Sequence, residues 1–154
     1  MNEAFLEPFA TALFTALQDD TDPATAGLLA LVYDAATDIK PRIYPRRPDA
    51  ATKSFVVIDY PFGGRDPAYV HGAKSRPVAY WTRFQASVWA EDKHDSLTVG
   101  DVLIQAIDGR DIVVSDAWGT VRLFMRGAPW TLVDTISEVR MYGVIARYEI
   151  LLLK

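Results

Sequence analysis

Histidine and cysteine carry much of protein acid-base, nucleophilic and metal chemistry, and this chain has two of the first, His71 and His94, and none of the second. The lack of cysteine removes any disulfide framework, thiolate nucleophile or thiolate metal site. His94 stands among Glu91, Asp92 and Asp95, a set that could in principle hold a divalent cation. The same carboxylates directly precede an apolar helical pattern, where they would cap the helix and favour its dipole, and capping is the expected role. His71 and Ser75 share a Gly/Pro-rich stretch, with no recognisable Ser-His-Asp arrangement around them. Gly63-Gly64-Arg65-Asp66 follows a strand pattern but lacks the lysine and hydroxyl of a phosphate-binding loop and the spacing of a dinucleotide site, so it reads as a wide turn. No catalytic residue, metal ligand or cofactor is expected.

Charge carries more information than any of these groups. The net charge of −4 divides unevenly along the chain. Residues 1 to 38 hold seven acidic residues, among them Asp19, Asp20 and Asp22, and no basic one. Residues 39 to 76 hold eight basic residues (Lys40, Arg42, Arg46, Arg47, Lys53, Arg65, Lys74 and Arg76) against three acidic ones, and the remainder is nearly balanced. Such a division is either an electrostatic footprint for a partner or two segments that neutralise each other on one folded surface. The basic run is interleaved with Tyr44, Phe55, Tyr60 and Tyr69 and could follow a nucleic-acid backbone, but the chain as a whole is acidic, with pI near 5.1. Sequence-specific nucleic-acid binding is not the expectation.

The elements that would position these charges follow from periodicity. Phe5, Phe9, Ala12, Leu13, Ala16 and Leu17 recur at helical spacing, predicting an amphipathic helix that ends near Gln18. Asp22-Pro23 supplies a cap and a first-turn proline for a short second helix carrying Leu28, Leu29, Leu31 and Val32. From Asp38 to Lys53 three prolines make the chain extended or irregular. Ser54 to Tyr60 reads as a strand, and Pro61 to Ala79, with three glycines and three prolines, as a long excursion.

Tyr80 to Trp89 alternates cleanly, with Phe84, Ala86 and Val88 on one face and Trp81, Arg83, Gln85 and Trp89 on the other. Two tryptophans on the more polar face imply that it is also covered, by another element of the chain or by a neighbouring subunit. Leu97, Val99, Val102, Leu103, Ala106 and Ile107 suit a third helix closed by Gly109. Ile112 to Val114, Thr120 to Met125, Leu132 to Val139 and Met141 to Leu153 then read as strands. The sum is one α+β domain over residues 1 to 154, with an antiparallel, possibly mixed, sheet and helices on one face.

With half its residues apolar and a mean hydropathy of +0.05, the chain has material for a core and none of the composition of disorder. Its first residues carry Glu3 and Glu7 without a basic residue, unlike the start of a signal peptide, and no apolar run approaches the ~20 residues of a membrane span.

An N-terminal helix is followed by Arg42-Ile43-Tyr44-Pro45, by Phe55-Val56-Val57-Ile58-Asp59, by Arg83-Phe84-Gln85-Ala86-Ser87-Val88-Trp89-Ala90, by a helix, and by Gly143-Val144-Ile145-Ala146-Arg147-Tyr148-Glu149-Ile150. In order and spacing this resembles the tail-terminator, or tail-completion, family of long-tailed bacteriophages and prophages. It departs from that pattern at Ser87, where an acidic residue is usual, and in a longer segment from Val113 to Trp130.

The resemblance implies a non-enzymatic structural subunit of the virion tail or neck, assembled in the host cytoplasm. Six copies would form a ring that ends tube polymerisation and docks the head. Its partners would be further copies of itself, the tail tube protein and the head-completion or connector protein, with DNA only as passing cargo. Arg42, Arg46, Arg47, Arg65, Lys74 and Arg76 on one side, and Asp19, Asp20 and Asp22 on the other, are the residues expected at subunit or partner interfaces. Another neck, connector or tube-like ring component is the nearest alternative, and a small α+β ligand-binding or enzymatic domain a more distant one.

Overall fold

A computed structural model describes residues 6–49, 53–59, 66–68, 79–116, 118–136 and 138–153, with side chains placed for most of them. The chain runs α1 (Leu6–Ala16), α2 (Pro23–Val32), β1 (Ile43–Tyr44), β2 (Phe55–Asp59), β3 (Asp66–Ala68), β4 (Ala79–Ala90), α3 (Lys93–Ile107), β5 (Asp111–Ser115), β6 (Gly119–Met125), β7 (Trp130–Ile136) and β8 (Val139–Leu153). The fold is α+β, as expected.

Both internal helix starts arise from the capping chemistry in the sequence. The Asp22 carboxylate accepts from the Thr25 amide at 3.0 Å, with Pro23 in the first turn, and Asp92 accepts from the Asp95 amide at 3.1 Å. The acidic cluster around His94 therefore includes a helix cap, and no group of three or more metal-ligating side chains converges among the described residues.

The sheet has the order β1-β2-β4-β8-β6-β5, with β3 on β4 and β7 on β8. Twelve consecutive pairs from Ala79↔Leu153 to Ala90↔Tyr142 join β4 to β8 and make them its spine. The other edge of β8 is shared, with β7 pairing along Val139–Ile145 and β6 along Tyr148–Ile150. All pairings are antiparallel except that of β1 with β2, which makes the sheet mixed.

Three boundaries differ from the sequence reading. The stretch from Asp38 to Lys53 contains strand β1, because Ile43 and Tyr44 find an open edge beside Val56 and Val57. The excursion from Pro61 to Ala79 contributes β3, paired to β4, while residues 60–65 and 69–78 lie outside the described residues. The last hairpin turns between Ile136 and Val139, not beyond Val139, and Glu138 within it takes the left-handed backbone (φ 67°) that a search for glycine overlooks.

The helices cover one face of the sheet. Phe9, Leu13 and Leu17 of the first helical segment, Leu28 and Val32 of α2, and Val99, Leu103 and Ile107 of α3 pack on Val56, Ile58, Phe84, Val88, Tyr148 and Ile150. Phe9 meets Phe84 at 5.7 Å between ring centroids, and Phe84 stacks on Tyr148 at 5.1 Å. Helix α3 lies so close to β8 that a Cβ on Gly100 would stand 3.0 Å from Val144.

Candidate functional site

The nine residues expected at interfaces fall into four groups. Arg42 is held inside the subunit. Its Nε donates to the Ser54 carbonyl at 2.8 Å, one terminal nitrogen to the Asp38 carboxylate and the other to the Leu31 carbonyl at 3.2 Å. Arg42 thus joins the end of α2 to the start of β2, and its own backbone amide donates to the Val32 carbonyl at 2.9 Å. Asp38 is pulled below its ordinary value mainly by the Asp34 amide, then by Arg42 and Lys53, with burial acting in the opposite sense.

Arg47 also has partners at home. Its guanidinium lies 4.0 Å from the centroid of the Trp89 ring and pairs with Asp134 of β7 at 2.6 Å. Beneath it, Phe55, Val57, Trp89 and Met141 form a second small core on the sheet face away from the helices, flanked by Tyr44, Leu132 and Val139. This decides what covers Trp89, which is 2% exposed: elements of its own chain. The side chain of Trp81 lies outside the described residues.

Arg46 differs from both. It is exposed beside β1 and has no ion-pair partner among the described residues, and the same holds for Lys40. Arg65, Lys74 and Arg76 lie outside the described residues.

Of the acidic group, Asp19 sits at the other margin of the sheet, whereas Asp20 lines a separate groove with Tyr33 and Pro41. Asp19 accepts from the Thr21 hydroxyl at 2.6 Å and its amide at 3.0 Å, which with nearby Arg110 hold its carboxyl below the ordinary range. Asp22, besides capping α2, is lowered chiefly by the Thr25 amide. Asp20 is exposed with no cation bound to it among the described residues. Asp19 and Glu7 line an open groove of about 590 Å3 between α1 and β5, bounded on the other side by Arg110 to Val114.

Sequence patterning gave no sign of Arg110. Its guanidinium donates to the Thr25 hydroxyl at 2.6 Å and to the Ala16 carbonyl at 3.1 Å, tying the end of α1 to the first turn of α2. Nor did patterning single out the carboxylate of Glu149, shared by Arg83 (3.0 Å) and Arg126 on the sheet face opposite the helices. These are tertiary contacts between residues far apart in sequence, and local spacing carries no record of them. Among the described residues, Val113, Phe124, Trp130 and Val133 are exposed apolar side chains on β5, β6 and β7, and Ile39, just before β1, is fully exposed.

The arrangement is one of charged margins, open grooves and sheet edges, suited to binding a macromolecular surface. No family model matches the sequence, and no curated protein matches it. Among solved structures, a chain of the virion of a native gene transfer agent particle shares the fold, with a TM-score of 0.57 and 22% identity over 94% of this chain and 97% of that one.

Proposed function

We propose that this protein is a non-enzymatic structural subunit of a phage-like particle that caps the tail tube as a ring, ends tube growth and presents a docking surface for the head. The observation that carries the reading is the fold shared with a gene transfer agent virion chain over nearly the whole length of both. The ordered segments from Arg42-Ile43-Tyr44-Pro45 to the final strand support the narrower assignment to a tail terminator.

The subunit's features suit the role. It combines a continuous core with open sheet edges and exposed apolar residues, as a protein does that completes its surface against neighbours. Its partners in this reading are further copies of the chain, the tube protein and the head connector, and its place is the tail or neck of the virion.

Electron microscopy of the purified protein mixed with polymerised tail tubes tests the assignment. A terminator decorates one end of each tube as a ring and halts elongation. Incorporation along the tube, or no association with it, would overturn the assignment, and the first outcome would favour a tube-like component.

A further inference from the structure

Opposite edges of the sheet carry charges of opposite sign that no ion pair takes up among the described residues. Of the acidic residues in the first 38 positions, Asp34 and Asp38 are matched within the subunit by Lys53 (3.9 Å) and Arg42. Glu7, Asp19, Asp20 and Asp22 have no ion-pair partner among the described residues; Glu7 and Asp19 face β5 across the groove, Asp22 caps α2, and Asp20 lies in a separate groove with Tyr33 and Pro41. Arg110, the one cation lining that groove among the described residues, attracts Asp19 and Asp22 through space but gives its hydrogen bonds to Thr25 and to carbonyls, so the margin keeps a net negative charge. In the basic segment the situation is reversed, leaving Lys40 and Arg46 beside β1.

Strands β1 and β5 are the two ends of the sheet order. Among the described residues nothing pairs with the outer edge of either. On β5, Ile112 and Val114 point into the core while Val113 is 70% exposed, an apolar side chain on an open edge next to a groove. The β5–β6 pairing is irregular between Val113 and Ser115, which leaves Asp111–Val113 as the regular stretch of β5.

We infer that the β5 edge and α1 groove of one copy receive the β1 edge of a second copy, with Lys40 and Arg46 set against Glu7 and Asp19. This rests on the ring reading above and specifies which surfaces meet. A two-fold contact through β5 would bring the acidic groups of two copies together, whereas a head-to-tail contact alternates acidic with basic and can repeat until it closes. Strand addition supplies backbone hydrogen bonds at the junction, and the charges set its direction.

Because the chain has no cysteine, engineered thiols report this contact directly. A mixture of Val113→Cys and Arg46→Cys chains, oxidised under mild conditions, should yield a covalent heterodimer, and the doubly substituted chain a covalent ladder. Cross-links confined to Val113→Cys alone, or no cross-link in assemblies of ring mass, would overturn the inference and leave the ring reading standing. A chain that stays monomeric and uncross-linked, both alone and on tail tubes, would sink both. As a second readout, Lys40→Glu with Arg46→Glu should weaken self-association by about tenfold or more, and Glu7→Lys with Asp19→Lys in the partner should recover it. Failure of recovery would count against the pairing even if association is lost.

Discussion

The indole of Trp89 occupies the space where a side chain on its cross-strand partner Gly143 would begin: a Cβ at Gly143 would stand 2.8 Å from Cζ3 of the ring. The ring is fixed there by its Nε1, which donates to the Ser87 hydroxyl at 3.0 Å, and by Arg47 stacked at 4.0 Å from its centroid. Glycine in a strand ordinarily weakens it, so Gly143→Ala would stabilise an unobstructed position by ~0.5–1 kcal/mol. Here it should instead destabilise by ~1–3 kcal/mol through overpacking. The urea midpoint decides between the two signs.

Arg47→Met should lower stability modestly, by ~0.5–1 kcal/mol for the lost contact with the Trp89 ring at a half-exposed site. Arg46→Met, with no described partner, should leave the midpoint unchanged. Thermal unfolding of the two variants side by side separates the arginine that holds the subunit together from the one left available to a neighbour.

Tyr148 is fully buried against Phe84, and its hydroxyl has no hydrogen-bond partner among the described residues. Burial, with Asp108 adding to it, raises its ionisation well above the ordinary tyrosine range, so the group stays neutral. An unsatisfied buried hydroxyl costs ~1–3 kcal/mol. Tyr148→Phe should therefore be neutral or stabilising in chemical unfolding, in contrast to Phe84→Ala, which should cost ~3–5 kcal/mol.

Glu138 adopts φ 67° in the β7–β8 turn. A left-handed conformation costs a non-glycine residue ~1–2 kcal/mol, and glycine's greater freedom in the unfolded chain returns part of the gain. Glu138→Gly should raise stability by ~0.5–1 kcal/mol; a lower melting temperature would show that the Glu138 side chain contributes something the hairpin geometry does not.

Burial raises the pKa of Glu149, but hydrogen bonds from Arg83 and Arg126 outweigh it and hold the group below its ordinary value of 4.5. A lowered folded-state pKa means that the unfolded chain takes up the proton first as pH falls. The stabilisation from this cluster is thus complete above the ordinary glutamate value and is lost as pH drops through the folded one. The stability gap between wild type and Glu149→Gln should be constant near neutrality and shrink in acid. A gap that persists to pH ~2, below both pKa values, would contradict the assignment.

The two internal helix starts, the alternating strand around Phe84 and the α+β class were legible because each depends on near neighbours. Asp22 and Asp92 cap amides three residues away, and a strand's two faces are set by its period of two. Strand β1 was not legible, since two residues between prolines carry no pattern and need an open edge at Val56 and Val57. The turn at Glu138 was missed for a similar reason. Its backbone is set by the pairing of Ile136 with Val139, not by a residue that prefers it.

For the candidate site, the sequence by itself determined that an acidic segment precedes a basic one, because formal charge is a property of residue type. Only the tertiary structure decided which charges are spent inside the subunit. It turned Arg42 towards Asp38 and two carbonyls, set Arg47 over Trp89, and left Lys40 and Arg46 beside one edge with Glu7 and Asp19 beside the other. Coulomb pairing acts through distance in space, and the separation of two groups along a chain leaves that distance open until the sheet order is known.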